Sequence, residues 1–186
     1  MELYGSYTSP FVRHCRIALL QKNIECKFIE TDAAQIAEIS PTKRVPYLTD
    51  CELTLTDSTS ILTHLYEVAG EDFLSDLEDV ELYHITNTML DTCVNLLMLA
   101  KFDGITAEKS QYLTRQKSRI ETSLNAINEK SLSETLPLTN AETRLAIFLD
   151  WAIFRNVIDI AKYPQLQKLL DLANTDSIFA QTAPKE

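Results

Sequence analysis

Three short motifs carry residues that could take part in chemistry, and each stands where a predicted helix or strand begins. Ser9-Pro10 opens a helix, Val45-Pro46 enters a strand about 36 residues later, and Asp57-Ser58 opens another helix about eleven residues after that. A hydroxyl at a helix N-terminus stabilises a nearby thiolate or other anion, because the helix dipole and unpaired N–H groups act with it. A carboxylate beside a hydroxyl at a second N-terminus suits the ammonium and carboxylate of an amino acid.

Each motif also has a purely structural explanation. Ser9 is a favourable N-cap before a proline at the first helical position, where a missing N–H costs nothing. Asp57 or Ser58 could likewise cap the helix that follows. Pro46 could follow an ordinary trans bond, since only about 5–6% of X-Pro bonds are cis. A cis bond would instead turn the Val45 backbone toward an extended ligand.

The motifs lie in a predicted βαβαββα unit that occupies the first seventy residues. Its strands and helices, in chain order, are Glu2–Gly5, Pro10–Lys22, Glu25–Thr31, Asp32–Ile39, Val45–Thr49, Leu53–Leu55 and Ser58–Glu67. The remaining periodicity is helical only, over Leu77–Lys101, Ala107–Lys130, Asn140–Ile160 and Pro164–Ala173. The acidic stretch Asp76–Asp79 marks a linker. The sequence therefore predicts an α/β domain over residues 1–74 and an all-α domain over residues 75–186.

Composition excludes several classes of partner. The net charge of −10 and the pI near 4.8 argue against nucleic acid and anionic membrane, because both require a basic surface. No apolar run reaches the roughly 18–20 residues that a membrane span needs, and the N-terminus lacks a signal sequence. The four cysteines form no C-x-x-C pair, and there are only three histidines. We expect a cytoplasmic protein with reduced thiols and no metal.

In order and spacing, the motifs make the chain resemble a cytosolic glutathione S-transferase of the bacterial kind. The segment GSYTSPFVRHCRIALLQKNI is very close to the start of that family, and RVPYL and TDSTSIL match its later motifs. Thr139–Glu142 is similar to the family's capping box before a core helix. The resemblance covers essentially the whole chain, strongly over residues 1–67 and weakly over residues 75–135.

The resemblance implies a thioredoxin-like N-terminal domain, a helical C-terminal domain, a homodimer, and glutathione as the co-substrate. Ser9 would hydrogen-bond the glutathione sulfur. Tyr7 is the competing sulfur ligand, because other classes of the family use an N-terminal tyrosine. Relatives that reduce disulfides place cysteine where Ser9 stands, so a mixed-disulfide mechanism would lack its nucleophile here. We expect Cys15, six residues further on, to be a core residue.

Further glutathione contacts implied by the resemblance come from two loops. The Val45 backbone, before a cis Pro46, would pair with the cysteinyl part. Asp57 and Ser58 would hold the γ-glutamyl head. Arg44, alone or with Lys43, would meet the glycine carboxylate, or the two would simply be solvated loop charges.

The resemblance predicts an enzyme that conjugates glutathione to an electrophilic small molecule, as in detoxification. The second substrate would contact Tyr7, Phe11, Tyr83 and Asn87, in a cleft between the domains. A polar stripe along the helix that begins at Leu77 would form one wall of that pocket, or would simply be a solvated face. The alternative is a non-catalytic protein that acts through partner binding, as stringent-starvation regulators do.

Two departures from the family stand out. Lys43-Arg44 replaces the usual Gly-Lys before Val-Pro, and the helical domain is short, ending near Ala173 with a tail.

Overall fold

The computed structural model describes residues 1–185 of the chain, and its contacts divide the chain into two units. The first unit combines Met1–Ser75 with the residues from Asn174 onward, and the second is Asp76–Ala173. The division at Ser75 lies next to the boundary that the sequence suggests. The C-terminal residues differ from the prediction, which puts them in the helical domain, because they pack within the first unit.

A four-stranded mixed sheet forms the first unit together with its helices. The strands are β1 (Glu2–Gly5), β2 (Lys27–Glu30), β3 (Tyr47–Asp50) and β4 (Leu53–Leu55), in the spatial order β2-β1-β3-β4. Strand β1 is parallel to β2 and antiparallel to β3, and β3 is antiparallel to β4. The helices are α1 (Pro10–Gln21), α2 (Ala33–Ile39) and α3 (Ser58–Val68). This arrangement confirms the predicted βαβαββα order and the thioredoxin-like fold.

The core of the first unit forms where the inward residues of the strands meet α1 and α3, which contact each other. Leu3 and Leu48 are opposite each other in the β1–β3 register, and both are fully buried. Val12 of α1 and Leu65 of α3 are fully buried as well. Burial of these side chains supplies the main driving force that holds the two helices on the sheet.

The second unit is entirely helical. It contains α4 (Leu77–Met98), α5 (Gln111–Asn128), α6 (Asn140–Phe154) and α7 (Pro164–Asn174), whose last residue already counts with the first unit. Helix α4 packs against both α5 and α6. The predicted capping box is confirmed, since Thr139 Oγ1 accepts from Glu142 N at 3.2 Å and Glu142 Oε2 accepts from Thr139 N at 3.1 Å.

Several helices differ from the sequence-based prediction. Helix α5 begins at Gln111 rather than Ala107, and α6 ends at Phe154 rather than Ile160. The helix predicted over Leu77–Lys101 changes after Met98 into a π-helical turn, Leu99–Asp103. The predicted tail contains a short helix, α8 (Ser177–Gln181), which contacts α1. Among residues 1–185, no helix combines the length and apolar character that crossing a membrane requires.

Candidate functional site

The three motifs meet at one edge of the sheet. Strand β1 ends at Gly5, where the chain turns toward Ser9. The antiparallel register Tyr4↔Tyr47 brings that end beside the start of β3, which follows Val45-Pro46. Strand β3 lies between β1 and β4. The register Leu48↔Leu55 therefore puts the end of β4, which Asp57 follows, beside the start of β3 on the side away from β1. Neighbouring strands are about 4.8 Å apart, so the motifs fall within the span of a tripeptide.

Ser9 is the N-cap of α1, at the end of a tight turn. Its backbone N–H donates to Ser6 O at 3.1 Å, and its Oγ accepts from Val12 N at 3.3 Å. A hydroxyl that accepts one hydrogen bond still has its own proton to donate. The side chain is half-buried, so capping α1 leaves it able to donate to a sulfur at this helix end.

The aromatic residues near Ser9 are engaged by neighbouring side chains. Tyr7 is 36% exposed, and its ring lies 4.9 Å from that of Phe28 and 4.6 Å from the Arg16 guanidinium. Phe11, in the first turn of α1, is half-buried, and its carbonyl accepts from the Cys15 thiol at 3.5 Å. Cys15 is fully buried, which confirms it as a core residue.

The loop before β3 has the geometry that the resemblance implied. The Val45–Pro46 peptide bond is cis, and Val45 lies beyond the last paired residue of β3, Tyr47. Arg44 is exposed, as a group for binding a carboxylate in solvent must be. Lys43 has a φ of 52°, a left-handed conformation that glycine adopts without strain. That conformation explains why glycine would be natural here.

Asp57 is the N-cap of α3. Its Oδ1 accepts from Thr59 N at 2.8 Å and from Ser60 N at 3.4 Å. Asp57 therefore caps α3, as its purely structural explanation requires. The residue is exposed, whereas Ser58 is only 4% exposed. A polar group of a ligand at this end of α3 would therefore mainly contact the Asp57 carboxylate. Ser58 would offer it little accessible surface.

The start of α1 favours an anion at this edge, although the protein as a whole is acidic. Helices α1 and α3 both begin here, and neither has an acidic residue in its first turn. Ser9 is a neutral cap, so the dipole at the start of α1 is not cancelled by its own cap. Because the screening length at physiological salt is about 8 Å, this local field can outweigh the distant net charge of −10.

Two of the residues predicted to contact a second substrate lie on α4. The structure does not support Tyr83 in that role: it is fully buried, and its hydroxyl accepts from Arg144 Nη2 at 2.7 Å within the second unit. Asn87 is half-buried, and its Oδ1 is buried with no hydrogen-bond partner among the described residues.

The polar stripe of α4 lines a groove in the second unit. Thr88, Asp91 and Asn95 lie along it, facing Tyr112 and Arg119 of α5 across a volume of about 310 Å³. The stripe is therefore more than a fully solvated face, although the groove contains none of the residues of the three motifs. Within residues 1–185, no group of three or more His, Cys, Asp or Glu side chains is arranged to hold a metal ion.

Two residues near the start of α1, Arg13 and Gly5, make contacts that local sequence patterns did not indicate. Arg13 is almost completely buried in α1 and bonds to the segment around α8. Gly5 ends β1 where a side chain would collide with Val12. The signal for Arg13 was a charged residue four positions before the buried Ile17, on the inward face of an otherwise apolar helix. Its partners lie more than 160 residues away, beyond the reach of local patterns.

The amino-acid sequence is similar to sequences of known proteins. Residues 3–72 match the glutathione S-transferase N-terminal domain family. The chain is 27% identical to the uncharacterized GST-like protein YibF of Escherichia coli (strain K12), over 99% of this chain and 98% of that protein. The N-terminal part of the chain is therefore similar to the glutathione S-transferase N-terminal domain family, and the whole chain is similar to a GST-like protein.

Solved structures show the same fold. A glutathione S-transferase from Methylobacillus flagellatus KT with bound glutathione has a TM-score of 0.85 at 19% identity, covering 99% of each chain. A glutathione transferase family member from Pseudomonas fluorescens Pf-5, also with bound glutathione, has a TM-score of 0.85 at 18% identity. The match with the Pseudomonas fluorescens protein covers 100% of this chain and 99% of that chain. The chain therefore has a glutathione S-transferase-like fold.

Proposed function

We propose that the protein binds glutathione at the edge of the sheet formed by the three motifs and transfers it to an electrophilic small molecule. The observation that carries the proposal is the convergence of Ser9, the cis Val45–Pro46 bond and Asp57 at the end of β1, the start of β3 and the end of β4. Because the three motifs meet at one place, a single tripeptide can contact all of them. The glutathione bound by the two structural neighbours supports the choice of ligand.

The binding roles follow from the chemistry of each group. The Asp57 carboxylate pairs with the ammonium of the γ-glutamyl head, and Ser58 with its carboxylate. The Val45 backbone pairs with the cysteinyl residue as an added strand does. Arg44 meets the glycine carboxylate in solvent, where a single ion pair contributes only about 0–1 kcal/mol.

The catalytic role belongs to Ser9. A free thiol has a pKa of about 8.5, and a donated hydrogen bond at a helix N-terminus lowers it. The thiol proton then leaves to solvent, and the thiolate sulfur forms a bond to the electrophilic carbon while the leaving group takes the electron pair of its bond. No protein nucleophile is needed, because positioning and ionisation of the thiol supply the rate enhancement.

Tyr7 and Phe11 are the proposed contacts for the electrophile on the first unit, as aromatic surfaces near the sulfur position. We place this reaction in the cytoplasm, in a homodimer. Light scattering at micromolar concentration tests the dimer, and a species of monomer mass would reject it.

The direct test of the enzyme is a conjugation assay with glutathione and activated aryl halides. The proposal expects saturable turnover that falls in Ser9→Ala. If the protein binds glutathione but turns over none of these electrophiles, the catalytic part of the proposal fails and only glutathione binding remains. No binding at all would favour the alternative of a scaffold that acts through protein partners.

A further inference from the structure

We propose that Arg13 is a positioning residue, through which α8 fixes the first turn of α1 and with it the Ser9 hydroxyl. The inference rests on the proposed function, because Ser9 matters only if a thiolate lies beside it. It assigns a role in the site to the C-terminal segment, which the sequence suggested to be only a tail.

The side chain of Arg13 is held by the C-terminal segment. It is 2% exposed, and its Nη2 donates to Phe179 O at 3.0 Å. Its Nε donates to Thr182 Oγ1 at 3.4 Å, and its Cζ lies 4.1 Å from the centre of the Phe179 ring. Hydrogen bonds from a charged donor are stronger than neutral ones, and burial strengthens the contact between the guanidinium and the ring.

The backbone of Arg13 is bonded to Ser9. Its N–H donates to Ser9 O at 3.0 Å, which is the first hydrogen bond of α1. The Ser9 hydroxyl accepts from Val12 N, and Val12 packs against Gly5. The first turn of α1 is therefore fixed by Ser9 itself, by the end of β1, and by α8 through Arg13.

The C-terminal partners of Arg13 are themselves fixed. Thr182 is fully buried, and its Oγ1 accepts from Arg13. The single hydroxyl proton has two acceptors within reach, Ile178 O and Phe179 O, each 2.9 Å from Oγ1. Helix α8 has only five residues, and a helix of that length is not stable alone in water. Its order therefore depends on docking against α1, which couples the two segments in both directions.

The coupling has a specific consequence for the thiol. A hydrogen bond from Ser9 to sulfur depends steeply on distance and angle, so a small shift of the first turn weakens it. Loss of the contacts between Arg13 and the C-terminal segment should raise the pKa of the bound glutathione thiol by about 0.5 unit or more. At a pH below that pKa, the fraction of thiolate would fall about threefold. The dissociation constant of glutathione should change less than about twofold, because the other two loops keep their contacts.

The test compares Arg13→Met, Arg13→Lys and Thr182→Val with the wild type in the full chain. The thiolate absorbance of bound glutathione is followed against pH, and its dissociation constant is measured by calorimetry. Arg13→Lys should recover part of the shift, because lysine keeps one donor near Phe179 O. Thr182→Val removes one acceptor without changing shape, so it carries the test if Arg13→Met does not fold.

Arg144→Met is the matched control. Arg144 is also fully buried, and it bonds to Tyr83 in the second unit. This variant should lower the melting temperature without moving the thiol titration. Equal titration curves for the wild type, Arg13→Met and Thr182→Val, with only lower melting temperatures, would overturn the positioning role.

A second readout separates this inference from the proposed function. Hydrogen exchange at the Val12 and Arg13 amides should be faster in Thr182→Val than in the wild type, with or without glutathione. If the wild type binds no glutathione, the proposed function fails, while faster exchange would still show that α8 fixes α1. Unchanged exchange at these amides would show that α8 does not hold the first turn.

Discussion

A Cβ atom at Gly5 would lie 2.5 Å from Cγ1 of Val12, so the end of β1 touches the first turn of α1 too closely for any side chain. We predict that Gly5→Ala costs about 1–3 kcal/mol of unfolding free energy, the usual cost of overpacking. Val12→Ala in the Gly5→Ala background should recover part of this cost, because it removes the colliding methyl groups. Urea unfolding of the two single variants and the double variant measures the coupling, and strictly additive losses would contradict the contact.

Replacing the α1 cap separates folding from ionisation. Ser9→Ala should cost about 0.5–2 kcal/mol of stability as a lost cap, and should raise the pKa of the bound glutathione thiol. Thr139→Ala, which removes the cap of α6, is the control and should affect stability alone. An unchanged thiol titration in Ser9→Ala would move the sulfur contact to Tyr7, and Tyr7→Phe would then show the shift instead.

The α3 cap allows a sharper separation of the two roles. Asp57→Ser keeps a capping oxygen but removes the charge, so the melting temperature should change little. Loss of the ammonium partner should weaken glutathione binding about tenfold, equivalent to about 1.4 kcal/mol. Ser58→Ala should weaken binding less, because little of Ser58 is accessible. A lower melting temperature with unchanged affinity in both variants would leave capping as the only role.

The four cysteines should react with alkylating reagents in the order of their exposure. Cys51 is exposed in the β3–β4 turn and should be alkylated first. Cys26 is half-buried, and burial raises the pKa of its thiol, so it should be alkylated after Cys51. Its rate of alkylation should increase as the pH rises, because the thiolate is the reactive form. Cys15 and Cys93 should react only on unfolding. Peptide mass spectrometry after timed iodoacetamide treatment gives the order, and early labelling of Cys93 would refute it.

The buried thiol on α4 predicts how stability changes at alkaline pH. Burial raises the pKa of Cys93 from 9.0 to about 12. Above pH 9 the unfolded chain loses this proton while the folded chain keeps it, so the stability present below pH 9 falls as the pH rises. Between pH 9 and 10.5 this group should cost about 2 kcal/mol, at 1.36 kcal/mol per unit. Urea unfolding of the wild type should show a steeper loss than Cys93→Ala, and parallel curves would contradict the prediction.

Elements with strong local signals were predictable from the sequence. Strand β1 and the start of α1 have their predicted bounds, because alternation and a Ser-Pro cap act over a few residues. The capping box of α6 was predictable for the same reason. Convergence of the three motifs followed from the resemblance, and the strand register now provides its physical basis.

Features that depend on distant contacts were not predictable. Tyr83 was predicted to contact a second substrate, but it is fully buried, and its hydroxyl accepts from Arg144, which lies 61 residues away. Helix α8 is too short to show periodicity and is held by Arg13 from the opposite end of the chain. The apolar periodicity of the sequence continues past Met98, so it does not reveal that the α-helix changes there into a π-helical turn.

The proposed function requires that the three motifs bind glutathione and favour its thiolate. The most direct test is calorimetric titration of the purified protein with reduced glutathione, with a pH scan of thiolate absorbance on the same sample. We predict saturable binding, with the bound thiol ionising below the pKa of about 8.5 that is usual for a free thiol. No binding at millimolar glutathione would contradict it, and would leave Ser9 and Asp57 as helix caps alone.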